Sequence, residues 1–206
     1  MKIIIDLQGA QGASSKRGIG RYSLSLAQAM VRNRGSHDIE VALNGCFPDS
    51  IEFIKNAFSQ ALKPQKFHVW ESPSAISSSH TGNRWMRESA ELMRESFLAS
   101  LKPDILHITS LFEGFTDDAV TSIIEKDADT HFPVAVTLYD LIPFIYREIY
   151  LEAPLCASWY NKKIDHLKRA DLLLGISHSS VNDAIKYLDI PKNKCINISS
   201  DADEKT

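Results

Sequence analysis

Seven short apolar runs, at residues 2–7, 39–43, Phe67–Trp70, 104–109, 133–138, 171–176 and 195–199, recur along the chain with segments of helical spacing between most of them. That alternation is the pattern of strand–helix–strand units around a mostly parallel sheet. Several runs are continuously apolar rather than alternating, as strands covered by helices on both faces are. Ile19, Tyr22, Leu26 and Met30 share one helical face, as do Met86, Ala90, Met93, Phe97 and Leu101, and Val181, Ala184, Ile185 and Leu188. Ser179 and Ser180 are placed to cap the last of these and Pro191 to stop it, and a further helix is expected between Pro154 and Arg169. The expected fold is α/β, a Rossmann-like, mostly parallel sheet with helices on both faces.

At 206 residues, 44% hydrophobic and 24% charged, the chain can bury one sizeable core. A net charge of −3 offers no long-range attraction to polyanions, so nucleic acid is not an expected partner. Cys46, Cys156 and Cys195 stand apart, without C-x-x-C or paired-histidine spacing, so no metal site is expected and a reducing compartment is favoured. Asp6 ends the first apolar run well short of a signal sequence, and the mature chain is expected to start here, in the cytoplasm. No run approaches the roughly 20 apolar residues of a spanning helix. Membrane contact, if made, is peripheral, through Trp159 and Tyr160 with Lys162, Lys163, Lys168 and Arg169. A solvated basic face is the simpler reading of that cluster, because Asp165 interrupts it. Residues 71–82, rich in serine and proline, are expected to be the most mobile loop.

In an open parallel sheet, ligands bind beyond the carboxyl ends of the strands. The loop after the first strand carries Arg17, Gly18, Ile19, Gly20 and Arg21 before an amphipathic helix. Glycine lets backbone amides approach a phosphate or sugar, and the arginines add charge-assisted contacts; a flexible connection with packing glycines explains the same residues. It is not a dinucleotide fingerprint, since Ser23 stands where the third glycine belongs and Asn44 where an acidic ribose ligand would end the second strand. Tyr139 and Asp140 follow the fifth strand, where a carboxylate can bind sugar hydroxyls or orient a base, or simply form the turn before Pro143. His107 lies inside the fourth strand and Glu113 just past it, where an exposed glutamate is the ordinary expectation. Ser177 opens the last helix, as a cap or a ligand contact.

Taken in order, the loop Arg17–Tyr22, the stretch His107–Gly114, the stretch Thr137–Pro143 and the stretch Lys168–Ser180 resemble the N-terminal domain of family 4 glycosyltransferases of GT-B fold. The resemblance is closest to the bacterial mannosyl- and rhamnosyltransferases of O-antigen and surface-polysaccharide synthesis. It implies transfer of a hexose, from a nucleotide-sugar of GDP type, to a lipid-carried glycan with retention at the anomeric carbon and without a cofactor. Residues 1–200 would form the acceptor-side domain and residues 201–206 a polar tail or the start of a linker, with the donor-binding domain absent. The resemblance assigns catalysis to Asp140 and Tyr139, donor-phosphate approach to the Arg17–Arg21 loop, and the cleft lining to His107, Glu113 and Ser177. The family pattern has histidine where Tyr139 stands. The alternatives are a non-catalytic carbohydrate- or nucleotide-binding module and an inactive fragment. On this reading the chain alone transfers no sugar, and Gly20→Val harms ligand approach more than folding.

Overall fold

The computed structural model describes residues 1–123 and 132–199, so the expected tail at 201–206 lies outside the described residues. β1 (Lys2–Asp6), β2 (Asp38–Asn44), β3 (Phe67–Trp70), β4 (Ile105–Ile108), β5 (Val134–Leu138), β6 (Leu172–Gly175) and β7 (Cys195–Asn197) form one sheet. Its order is β3-β2-β1-β4-β5-β6-β7 and every pairing is parallel. The direction of winding reverses between β1 and β4, the place where open sheets of this kind part their loops into a crevice.

The helices are α1 (Gly18–Arg32), α2 (Pro48–Ala57), α3 (Arg84–Ser100), the single turns α4 (Ile142–Ile145) and α5 (Arg147–Tyr150), α6 (Pro154–Lys168) and α7 (His178–Leu188). Successive strand residues point to opposite faces. Accordingly Ile5 joins Ile39, Val41 and Leu43 under Ala27, Val31, Ile54 and Phe58 of the α1–α2 side. Ile4 instead joins Leu106, Val136 and Leu138 with Leu98, Ile164, Leu167 and Ala184, from α3, α6 and α7. Each large side chain so buried contributes about 1.5–3 kcal/mol.

Four local readings differ from the sequence expectation. The helix α2 was not anticipated, although Pro48 suits a first helical position and Ile51, Ile54 and Phe58 make its stripe. In α1 the buried line is Gly20, Ser23, Ala27 and Val31, and the larger apolar face flanks it half-buried, because small residues let the helix lie close to the sheet. In α3, Arg94 takes the inward place while Met93 is 47% exposed. The cap of α7 is Ser177, whose oxygen accepts the Ser180 N–H at 3.1 Å, and the helix ends at Asp189 in a left-handed conformation before Pro191.

The loop expected to be most mobile is tied down instead. The N–H groups of Ala75 and Ile76 donate to the Asp118 carboxylate at 2.9 and 2.8 Å, and those of Ser78 and Ser79 to the carbonyls of Gly114 and Phe115. Arg87 of α3 closes the other side on the Ser77 carbonyl at 3.0 Å. Backbone polar groups that cannot reach water must find partners, and here a second loop supplies them.

Candidate functional site

The crevice above β1 and β4 is filled by the chain's own residues. The Gln8 side chain donates to the Val120 carbonyl at 2.6 Å and accepts the Val120 N–H at 2.9 Å, so the 117–123 segment pairs with it as a strand would. Asn44 adds bonds to Gln8 Oε1 and to the Asp118 carbonyl. Beneath them Arg94, with no exposure, meets the Asp6 carboxylate and the Ser122 carbonyl.

Beside this crevice a pocket of about 240 Å³ opens between α3, the 113–121 segment and α6. Gly114, with φ +88°, makes the turn that shapes it, and any side chain there would collide with the Ala119 carbonyl. Glu113, expected to be exposed, is only 4% exposed. Its oxygens accept from Ser110 Oγ at 2.7 Å and Ser14 Oγ at 2.9 Å. Burial pushes the carboxyl up to about 7, against the lowering effect of the two serine bonds, and the Asp117 charge adds to the rise. Lys163, 5% exposed, lines the same pocket and donates to Thr121 Oγ1 at 2.7 Å and to its carbonyl. Burial brings its ammonium down to about 7. Trp159 completes the wall, its ring packed against Phe115 with centroids 5.2 Å apart.

This arrangement takes two residues out of the aromatic and basic cluster of α6 and ties down a third. Tyr160 and Lys163 are buried, and Lys162 is paired with Glu91 at 2.7 Å. The signal was present in the sequence, since Lys163 falls in the stripe with Tyr160, Ile164 and Leu167.

Asp140 is exposed at the end of β5, and one oxygen accepts the Ile142 N–H at 3.0 Å, the turn role expected of it. Its charge still reaches α6: burial, and then Asp140, raise the Tyr160 phenol. Tyr139 is a strut. Its hydroxyl lies 2.9 Å from Ser23 Oγ and within donating distance of the Thr109 and Ile19 carbonyls, and its ring meets Tyr22 edge-on. Burial raises this phenol too, which leaves it protonated and unsuited to proton transfer. His107 does not line the cleft. It is 1% exposed inside β4, with Nε2 2.9 Å from Thr137 Oγ1, and burial holds the ring down to about 4, neutral. Ser177 is committed to its cap.

In the glycine loop, Arg17, Gly18 and Arg21 are exposed and Ile19 half-buried, and nothing approaches Gly18. Gly20 is different. A side chain there would collide with the backbone of Ser14 and Ser15, so Gly20→Val would disrupt the loop itself, contrary to the expectation that folding is spared. Beside this loop a hollow of about 550 Å³ is lined by Leu24, Phe47 and Phe53, with Lys16 and Arg21 at its margin. Among the described residues no group of three or more His, Cys, Asp or Glu side chains could hold a metal ion, and no helix is long and apolar enough to cross a membrane.

No protein-family model matches the chain. It is 32% identical over 206 residues to a serotype-specific mannosyltransferase WbdA of Escherichia coli, and 29% identical over 181 residues to another of the same name. These alignments take in 100% and 87% of this chain but only 24% and 22% of the relatives. Among solved structures, the lipopolysaccharide outer core galactosyltransferase WaaB in its apo form aligns with 100% of this chain and 47% of its own, at TM-score 0.53 and 14% identity. Arabidopsis thaliana UGT89C1 complexed with UDP aligns at TM-score 0.53 and 10% identity, over 97% of this chain and 48% of that one.

Proposed function

The chain belongs with the WbdA-type glycosyltransferases and folds as the N-terminal half of a GT-B enzyme, and on that premise we propose that it is the acceptor-side half of a mannosyltransferase. The reaction moves a hexose from a nucleotide-sugar, GDP-linked in this reading, to a glycan carried on a lipid at the inner face of the cell membrane, with retention. The observation that carries the acceptor role is the closed crevice: Gln8 and the 117–123 segment fill the space above β1 and β4, and a polar pocket stays open beside them around residues 113–121. Asp140 is the group that meets the acceptor hydroxyl, since one of its oxygens caps the turn and the other is left to accept a hydrogen bond. Tyr139 positions that turn from behind through Ser23. The donor's phosphates approach the Arg17–Arg21 stretch, where Arg17, Gly18 and Arg21 are exposed, from the other half of the cleft.

The test is a resonance-by-resonance titration of the labelled chain with a mannose-terminated oligosaccharide and, separately, with GDP-mannose. The oligosaccharide should shift amides of residues 110–121 and 139–142, while GDP-mannose leaves the amides of Gln8 and Val120 unmoved. Absence of any glycan response, or tight nucleotide binding over β1 and β4, would overturn the reading.

A further inference from the structure

We propose that the pocket between α3, the 113–121 segment and α6 is a subsite for a second hexose of the acceptor, the unit next to the one whose hydroxyl reacts, and that Glu113 binds a hydroxyl of that unit. The inference rests on the acceptor-side reading above.

Three observations point to a polyhydroxyl ligand. First, two of the cations around the pocket are already paired within the protein. Arg84 pairs with Glu88 at 2.8 Å, Lys162 with Glu91 at 2.7 Å, and Arg87 is spent on the Ser77 carbonyl and Asn83. Arg87 keeps its charge, but its Nη1 is held by those two neutral oxygens. Second, the groups that remain are those a sugar ring uses. Glu113 offers carboxyl oxygens held by two serine hydroxyls, and Thr121 and Lys163 present polar atoms on the same wall. A carboxyl brought to about 7 by burial is present in both protonation states near neutrality, so it can accept from or donate to a hydroxyl, whereas a fully ionised one can only accept. Third, the Trp159 indole supplies apolar surface for the C–H face of a pyranose, and about 240 Å³ has room for one ring rather than a chain.

Position argues for the neighbouring unit and not the reacting one. Asp140 stands outside the pocket at the end of β5, and Glu113 on the pocket wall follows β4, the strand that pairs with β5. A glycan with its reacting hydroxyl at Asp140 therefore has its next ring beside α6. Filling the pocket removes water from Glu113 and Lys163, and the hydroxyls that replace it must satisfy both, which is what gives such a site its selectivity.

The experiment compares methyl α-mannoside, one ring, with α-linked mannobiose, two rings, for affinity to this chain and for the shift of the Trp159 indole resonance. Mannobiose should bind about tenfold or more tightly than the monosaccharide and move the Trp159 signal. Glu113→Gln should bring mannobiose down to the monosaccharide level. Ser158→Trp, a change at an exposed residue on the pocket rim, should do the same without touching the buried groups. Equal affinities for one and two rings, or mannobiose binding that survives both variants, would overturn the subsite and leave the acceptor reading standing. Failure of both sugars to bind would overturn that reading itself.

Discussion

Two buried carboxylates at the same edge of the sheet have been treated in opposite ways. Asp6 meets a guanidinium, a backbone N–H and the Gln8 amide, and every neighbour is itself bonded. Glu113 meets two serine hydroxyls and an open pocket, with no cation paired to it in the described structure. The first is a finished polar core, which a chain uses to hold loops in one arrangement. The second is a carboxyl held only by hydroxyls on the wall of a pocket, with bonding capacity that no cation uses up.

Breaking the finished network should have the largest effect. Arg94→Met leaves the Asp6 charge buried and unpaired, and should cost about 3–5 kcal/mol in urea unfolding. Adding Asp6→Leu to it should recover part of that loss, since an apolar pair needs no compensation. A loss under about 1 kcal/mol from Arg94→Met would mean that the ion pair is not the keystone of this edge.

The pH dependence should separate the carboxyl groups by sign. Glu113 has its folded value raised from 4.5 to about 7, so the folded state holds the proton longer. Its contribution to stability is intact below pH 4.5 and is lost as pH rises toward 7, with a slope of at most about 1.4 kcal/mol per pH unit. Glu40, on β2, runs the other way. Burial would raise it, but hydrogen bonds from Lys66, Lys2 and His68 outweigh burial and bring it down to about 2, so its contribution is present above pH 4.5 and fails as pH falls toward 2. Glu113→Gln should flatten the first slope alone and Glu40→Gln the second, as read by denaturant midpoints across pH. Coincident changes in both variants would erase the distinction. A smaller effect belongs to the strut: Tyr139→Phe should cost about 1 kcal/mol, through the lost bond to Ser23, and leave glycan affinity unchanged.

The sheet was legible because its strands are short apolar-rich runs, several of them continuous as strands covered on both faces are, and all seven appear within two residues of their expected limits. Family resemblance likewise pointed to the N-terminal GT-B half before any geometry was known. The polar edge was not legible. Arg94 occupies a place that helical spacing alone assigns to an apolar side chain, and its partner lies 88 positions away in the sequence. Glu113 reads as a surface residue until Gly114 folds the segment back over it. Lys163 reads as one of a run of surface cations, although its place beside Ile164 marks the buried side of α6. Periodicity reports which face is covered, and says nothing of which distant group covers it.

The most direct measurement of the distinction between the two carboxylates is to take Glu113→Gln and Arg94→Met through thermal melting and mannobiose titration side by side. The account predicts that Glu113→Gln melts within a few degrees of the parent at pH 6 and binds about tenfold more weakly, while Arg94→Met melts far lower and, at a temperature where it is folded, binds mannobiose nearly as the parent does. The reverse pattern, with Glu113→Gln unfolding early and keeping its affinity, would make Glu113 the structural group and contradict the account.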